Sequence, residues 1–542
     1  LQFQSFFLIS PLNKPTEEIL LFDLIIKNGT IIDGTKAPRQ KGDVGIKGDT
    51  ITAVGDLQSA NCENVIDASG KIVTPGFVDT HNHSDGWLLK LDNQYSKTSQ
   101  GFTTEIIMLD GISYAPVNDI TAKDWMFYLR ALDGLRVDEY TGWESIDDYM
   151  QLLNGNNVQN AIPHIPYANV RSLCTGFRKE FVDDLQMKLI QAEIRKGMED
   201  GAVGVSTGID YIVQCYSTTD ELAEACSVLG EYGGLYATHV RYKKGPIPSM
   251  REAVEIGKRS GAKVHISHLK AHSEENLEEL FDFIDNEARN EVDFSFDAYP
   301  YQPGSTMLSY LVPYETWDNG PLGALQQLNQ PAIRAKFKMA LNSQRLPLDK
   351  LHIAWVASKE NSCFQGKTLQ DYVDAVGLPE DEALLNLLID ERLAVLLVFN
   401  EGDDKLIHPI LQHDLCLMGS DGIFQLDGPI HPRQYGSATK LLGECSHDLN
   451  LFSLEDAVYK LTSGPANRFG LTNRGTLKEG YFADLVVFDA DTVAERSTYE
   501  NPHQTSAGID AVVVNGVPIL RDGVPVEGLQ RPLPGRALKF NR

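Results

Sequence analysis

The chain has 542 residues and carries 48 Lys+Arg against 75 Asp+Glu, a formal charge of −27. Hydrophobic residues at 42% and charged residues at 23% describe a globular protein able to bury a sizeable core. Such acidity argues against nucleic-acid partners and anionic membrane surfaces unless basic residues cluster, and the densest basic stretch is the short Arg241–Lys244.

In chain order, Phe6–Ile9 is apolar but lacks the basic flank and length of a secretory signal. From Phe22 to Thr74 short apolar runs alternate with Asn28-Gly, Asp33-Gly and Gly48-Asp, the chemistry of tight turns in an antiparallel sheet. The same grammar returns in Ala483–Asp489 and in Ala511–Val514 followed by Asn515-Gly. The two ends therefore predict one small β-domain, a β-sandwich built from residues 20–74 and 473–542.

Between them the texture changes to strand–helix alternation. Eight buried strands are predicted at Phe77–His83, Phe102–Leu109, Ala161–Ile165, Ala202–Ser206, Leu235–His239, Lys263–His268, Val292–Tyr299 and Asp414–Asp421. Helices are predicted at Asp184–Asp200, Thr219–Tyr232 and Met250–Ser260, the last with Ser249 and Glu252 as a capping box. Eight β-then-α units predict an α/β fold, a (β/α)8 TIM-like barrel over 75–472. Residues 302–357 break the alternation and are expected to form an insert. No stretch approaches the about 18–20 apolar residues of a membrane span. Seven scattered cysteines, an odd number without CxxC spacing, point to reduced thiols and a cytoplasmic location. Cys416, inside an apolar strand, reads as a buried small hydrophobe.

The chemistry concentrates at strand ends. In Pro75-Gly-Phe-Val-Asp-Thr-His-Asn-His, strand alternation puts His81 and His83 on one side. His239 ends Leu-Tyr-Ala-Thr-His, His268 ends Val-His-Ile-Ser-His, and Asp421 closes Leu-Met-Gly-Ser-Asp-Gly. Each sits at the C-terminal tip of a predicted strand, where barrel active sites lie. A lone strand-end histidine is ordinary structure, but four with a carboxylate make a nitrogen and oxygen donor set suited to Zn2+, one ion or two. His265, three residues before His268, falls on the opposite face by alternation and reads as structural.

These motifs, HxH after PGFxD, then ATHxR, ISHxK and GSDG in that order, resemble the amidohydrolase superfamily. With Gly201–Gly208, Asp297-Ala-Tyr-Pro-Tyr and His431-Pro-Arg they more closely resemble the N-acyl-D-amino-acid deacylases, over nearly the whole chain. The resemblance implies zinc-dependent hydrolysis of a linear amide, with Asp421 as the proton shuttle and a further metal ligand. In that family the strand after HxH typically ends in a metal-binding Cys; this chain has Asp110 there, a harder ligand that can still hold or bridge cations. No Lys ends either following strand to serve as a carbamylated bridge. The resemblance also implies that Lys270, Tyr299, Ser305 and Arg433 hold the carboxylate of a small anionic substrate, a task suited to an Arg fork and a Lys point charge. Two other readings stay open: a cyclic amide, imide or dipeptide as substrate, and a catalytically silent barrel acting as an interaction protein. The sequence does not decide between monomer and homo-oligomer.

Overall fold

The computed structural model describes residues 22–344 and 346–541; Phe6–Ile9 lie outside them. Strands from both ends of the chain join one nine-stranded sheet. Its seam is the antiparallel pairing of Ile72–Pro75 with Leu485–Phe488. Alternate residues, among them Leu24, Ile26, Val44, Ile46, Leu485 and Val487, share an apolar core, as a period of two requires. Asn515 and Gly516, both at positive φ, close the hairpin between Ile509–Val514 and Val517–Arg521. Asn28-Gly, expected as a turn, instead lies inside the Leu24–Ile31 strand. Its register shifts there, and the Asn28 N–H donates to Asp43 Oδ1 at 2.7 Å. A left-handed Asn28 (φ 64°) before a glycine can make a bulge as well as a turn, and only the partner strand selects between them.

The middle of the chain supplies a second set of strands. Phe77–Asp79, Phe102–Ile107 and Asn160–Pro163 pair in parallel. After His164 the chain continues as Ile165–Pro166, which pairs with Gly204–Gly208. Leu235–His239, Lys263–Ile266, Phe294–Ala298 and Cys416–Met418 follow, each parallel to the one before. Just beyond Phe77–Asp79, Thr80 donates to the Met418 carbonyl from both its N–H (3.3 Å) and its hydroxyl (3.0 Å). Burial on both faces explains why these segments read as apolar runs rather than alternating patterns. The architecture is α/β, and the C-terminal ends of these strands emerge on one side.

Helices cover the outside. Asp184–Asp200 is capped by the Asp183 carboxylate accepting from the Gln186 N–H at 2.8 Å and buries Met187, Ile190, Ile194 and Met198 along one stripe. The expected helix over Thr219–Tyr232 is broken into Thr219–Ala225 and Val228–Tyr232. The expected capping box at Ser249 does not form. That helix starts four residues earlier, at Pro246, where proline at the first turn needs no N–H partner. The Ser249 hydroxyl bonds back to the Arg241 and Gly245 carbonyls, and Glu252 is held by Arg241.

The segment expected to break the alternation, 302–357, contributes Ser305–Met307 and Leu351–Val356 to a three-stranded antiparallel sheet. The central strand of that sheet, Val395–Phe399, comes later in the chain. No helix among the described residues is long and apolar enough to cross a membrane. All seven cysteines are unpaired, and burial pushes the Cys416 thiol up to about 12.

Candidate active site and metal centre

The side chains expected at strand ends converge. His81 Nε2 lies 3.6 Å from Asp110 Oδ1 and 3.8 Å from Asp421 Oδ1, and His83 Nε2 lies 3.2 Å from the same Asp421 oxygen. On the far side of Asp110, His239 Nδ1 and His268 Nε2 are 3.0 Å apart, each within 3.9 Å of an Asp110 oxygen. Two overlapping triads, His81–His83–Asp421 and His81–Asp110–His268, bring one donor atom from each residue within 4.8 Å.

These positions bend out of the strands. Asp110, His268 and Asp421 all adopt positive φ (53°, 37° and 48°), an uncommon state for residues with side chains that concentrates at functional sites. The reversal explains His265. Alternation from His268 predicted opposite faces, but the strand ends at Ile266, so His265 also turns toward the centre. There its Nε2 meets Asp297 Oδ2 at 2.9 Å. Asp297 itself lies 3.7 Å from His81 Nδ1 and accepts the His268 N–H at 2.8 Å. The sequence reading missed this orienting carboxylate; the Asp297-Ala-Tyr-Pro-Tyr motif was its one visible trace.

The donor set fits a metal ion on observations internal to the chain. His81 Nε2 and Asp110 Oδ1, 3.6 Å apart, are both buried without a hydrogen-bond partner, a costly state for polar atoms unless a cation is their partner. Burial alone would lower the His81 pKa. The carboxylates of Asp110, Asp297 and Asp421 overcome it and push His81 up to about 9, so the local field favours positive charge. Burial likewise opposes ionisation of Asp421, yet the Arg433 guanidinium and the adjacent histidines hold its pKa well below the usual carboxylate range.

Lys270, Tyr299 and Ser305 line the cavity of about 220 Å3 that opens beside His83, Asp110, His239, His268 and Asp421. The Ser305 hydroxyl donates to the Leu397 carbonyl at 2.7 Å, within its own sheet. Arg433 is set back and fully buried: Nη1 donates to the Tyr299 hydroxyl at 2.6 Å and pairs with Asp421 Oδ2 at 2.8 Å. Burial and then the Arg433 charge pull the Lys270 ammonium down to about 7.

Beneath the donors lies a group the sequence reading did not single out. Buried Lys97 bonds Asp79 and, at 2.5 Å, the Ser420 hydroxyl, with Glu105 at 3.9 Å. Asp79 Oδ1 accepts from the N–H groups of Ser420 (2.8 Å) and His81 (3.3 Å), tying the two ligand-bearing turns together. Gly419 lies in the same junction. A Cβ there would stand 2.8 Å from the His81 Cβ and 2.9 Å from Asp297 Oδ1, so the backbone approach needs glycine.

Comparison with known proteins agrees with this geometry. The amidohydrolase family matches residues 64–169 and 414–520. A D-aminoacylase of Alcaligenes xylosoxydans xylosoxydans is 33% identical over 506 residues, 92% of this chain and 95% of that protein. An N-acyl-D-aspartate deacylase of the same organism is 32% identical over 530 residues, covering 96% and 97%. The structure of N-acyl-D-glutamate deacylase from Bordetella bronchiseptica, complexed with zinc and a phosphonate mimic of the tetrahedral intermediate, matches with TM-score 0.81. It is 30% identical and covers 96% of this chain and 100% of that one. Fold, donor cluster and these likenesses define a metal-dependent hydrolase. The chain belongs to the amidohydrolase family, within its group of D-aminoacylases and N-acyl-D-amino-acid deacylases.

Proposed function

We propose that this protein removes the acyl group from N-acyl-D-amino acids by zinc-assisted hydrolysis, with the eight central strands closed as a (β/α)8 barrel. The residue 20–74 and 473–542 segments are proposed as one β-domain packed beside that barrel. The observation that carries the functional reading is the convergence of His81, His83, Asp110, His239, His268 and Asp421 on one cavity that also presents Lys270. Those six residues would hold the zinc, as one ion or two.

A zinc ion held there would supply polarisation of the substrate carbonyl and a water of lowered pKa, about 7. Everything else falls to the chain. Arg433 fixes Asp421 through Oδ2, leaving Oδ1 toward His83 and the cavity. Held ionised, Asp421 Oδ1 accepts a proton from the attacking water and returns it to the leaving nitrogen as the amide C–N bond breaks. Water and amide thus become a carboxylic acid and a free amine, with the proton passed through one carboxylate. Asp297 orients His81 and His268, so the donors keep their geometry during turnover. Lys270 Nζ supplies the positive charge for the substrate's α-carboxylate, and the buried Arg433–Tyr299 pair forms the floor beneath it.

The test is metal content together with chelator-sensitive release of amino acid from N-acetyl-D- and N-acetyl-L-amino acids. Zinc-bearing protein that hydrolyses the D-series and stops on chelation is expected. A folded, metal-free protein inactive on every amide would overturn the reading.

A further inference from the structure

A second cavity, of about 510 Å3, shares no lining residue with the one beside the donor cluster. Its walls come from the helix Asp85–Lys90, the turn 130–136, the segment 355–365 and the loop 425–427. In a chain of net charge −27 this space is lined by two lysines and two arginines against one aspartate. That aspartate, Asp427, already accepts from Trp355 Nε1 at 3.0 Å. Lys90 and Arg136 share Glu139, at 3.1 and 3.7 Å, whereas Arg130 and exposed Lys359 form no ion pair among the described residues. Arg130 instead gives Nη2 to the Arg392 carbonyl at 2.6 Å, and both guanidiniums lie over the Phe127 ring, at 4.7 and 5.4 Å. The neighbouring Glu391 carboxylate is taken up by Ser358 and Asn361. Two buried donors of lining residues, Arg130 Nε and Trp87 Nε1, have no acceptor. Trp87 is 4% exposed, and a Cβ on Gly134, which also lines the cavity, would stand 2.9 Å from its Nε1.

Both unpartnered atoms can only donate, so what satisfies them must be an acceptor. A buried N–H without a partner and a guanidinium without a counter-charge are each costly, and one anion relieves both. The rest of the wall is apolar: Val356, the Trp355 ring, and Leu426, which is 71% exposed at the rim. We propose that this cavity binds a small organic carboxylate. Its anionic head would meet Arg130 Nε and Trp87 Nε1, with Lys359 adding charge, and its apolar body would cover Trp355, Val356 and Leu426. An inorganic anion would satisfy the donors and leave that apolar wall wet, so the body adds to affinity. The site is separate from the hydrolytic centre, although Trp87 packs edge-on against Phe424, ring centroids 4.9 Å apart, on the loop that follows Asp421.

The test titrates the zinc-loaded full chain with phenylacetate by calorimetry, against acetate, sulfate and the neutral analogue 2-phenylethanol. Saturable phenylacetate binding with Kd on the order of 1 mM or tighter is expected. It should be at least ~10-fold tighter than that of acetate, sulfate or the alcohol, since each lacks either the charge or the apolar body. Arg130→Gln should weaken phenylacetate at least ~10-fold, the scale of a lost hydrogen bond to a charged group, and Trp87→Phe about 3-fold or more. Lys359→Gln, a change on the surface that leaves the fold intact, should weaken it about 2-fold and reduce its sensitivity to salt. Absence of saturable binding, or equal binding of the alcohol, overturns the site; sulfate or acetate binding as tightly overturns the organic ligand. Phenylacetate affinity unchanged in folded Arg130→Gln and Trp87→Phe places the ligand elsewhere and overturns the proposal. If Arg130→Gln does not fold, Trp87→Phe and Lys359→Gln decide, and an unchanged Kd in both overturns it.

Discussion

Asp79 and His81 are two residues apart and serve opposite electrostatic arrangements. The Asp79 cluster is closed: Lys97 supplies its positive charge, and Ser420 and backbone N–H groups take up the Asp79 oxygens. The His81 cluster is open: His81 Nε2 and Asp110 Oδ1 face each other without a hydrogen-bond partner, and its field favours added positive charge. Asp79 and His81 are themselves both fully buried. A buried carboxylate survives beside a covalent cation or a bound one, and the difference between ammonium and metal is what turns a structural knot into a reactive site.

The largest effect should come from removing the covalent cation. Lys97→Met leaves Asp79 and Glu105 without positive charge and is expected to destabilise the fold by about 3–5 kcal/mol, read by denaturant titration. Wild-type stability in K97M would break the contrast. Asp421→Asn acts on the open cluster: it should retain most bound metal while lowering kcat by about 10²–10⁴-fold, the scale of lost proton transfer. Activity equal to wild type at full metal content would remove Asp421 from that role.

A pH experiment sharpens the closed side. Burial is the main cause that pushes Glu105 up to about 8, with Asp79 adding to it against the opposing Lys97 charge. A carboxyl whose pKa is raised on folding holds its proton longer in the native state. Its contribution is therefore complete below the unfolded value near 4.5 and is lost as pH rises through about 8. Glu105→Gln should flatten the fall in Tm between about pH 5 and pH 8; an unchanged slope would place the titration elsewhere. The smallest change is expected from Asp110→Cys. It should leave the protein metallated, since thiolate is also a zinc ligand, while shifting preference toward softer metals in competition. Loss of all metal from folded D110C would take position 110 out of the metal site.

The ligand positions were legible because each follows an apolar run that can only be a buried strand, and strand ends carry chemistry. His81 and His83 could be paired by period alone. Asp110 could be found only by resemblance, since a carboxylate after Met108-Leu has no pattern of its own. Asp297, Lys97 and the locked geometry of Arg433 were not legible as a site. Lys97 and Ser420 are 323 positions apart, and Arg433 and Tyr299 are 134 apart. Local periodicity carries no signal across such separations. His265 shows the complementary failure, where alternation was carried past a strand end that tertiary contacts had already bent.

By itself the sequence determined the repeated β-then-α texture, the matching β grammar of its two ends, and which residue types stand at the strand tips. These follow from propensity and period, which act over a few residues. Only the tertiary structure decided that the tips meet beside one cavity, that Asp421 is gripped by Arg433, and that Lys270 lines the same cavity. Those facts depend on strand order and on side chains buried together from distant segments, where low dielectric makes each unpaired charge decisive.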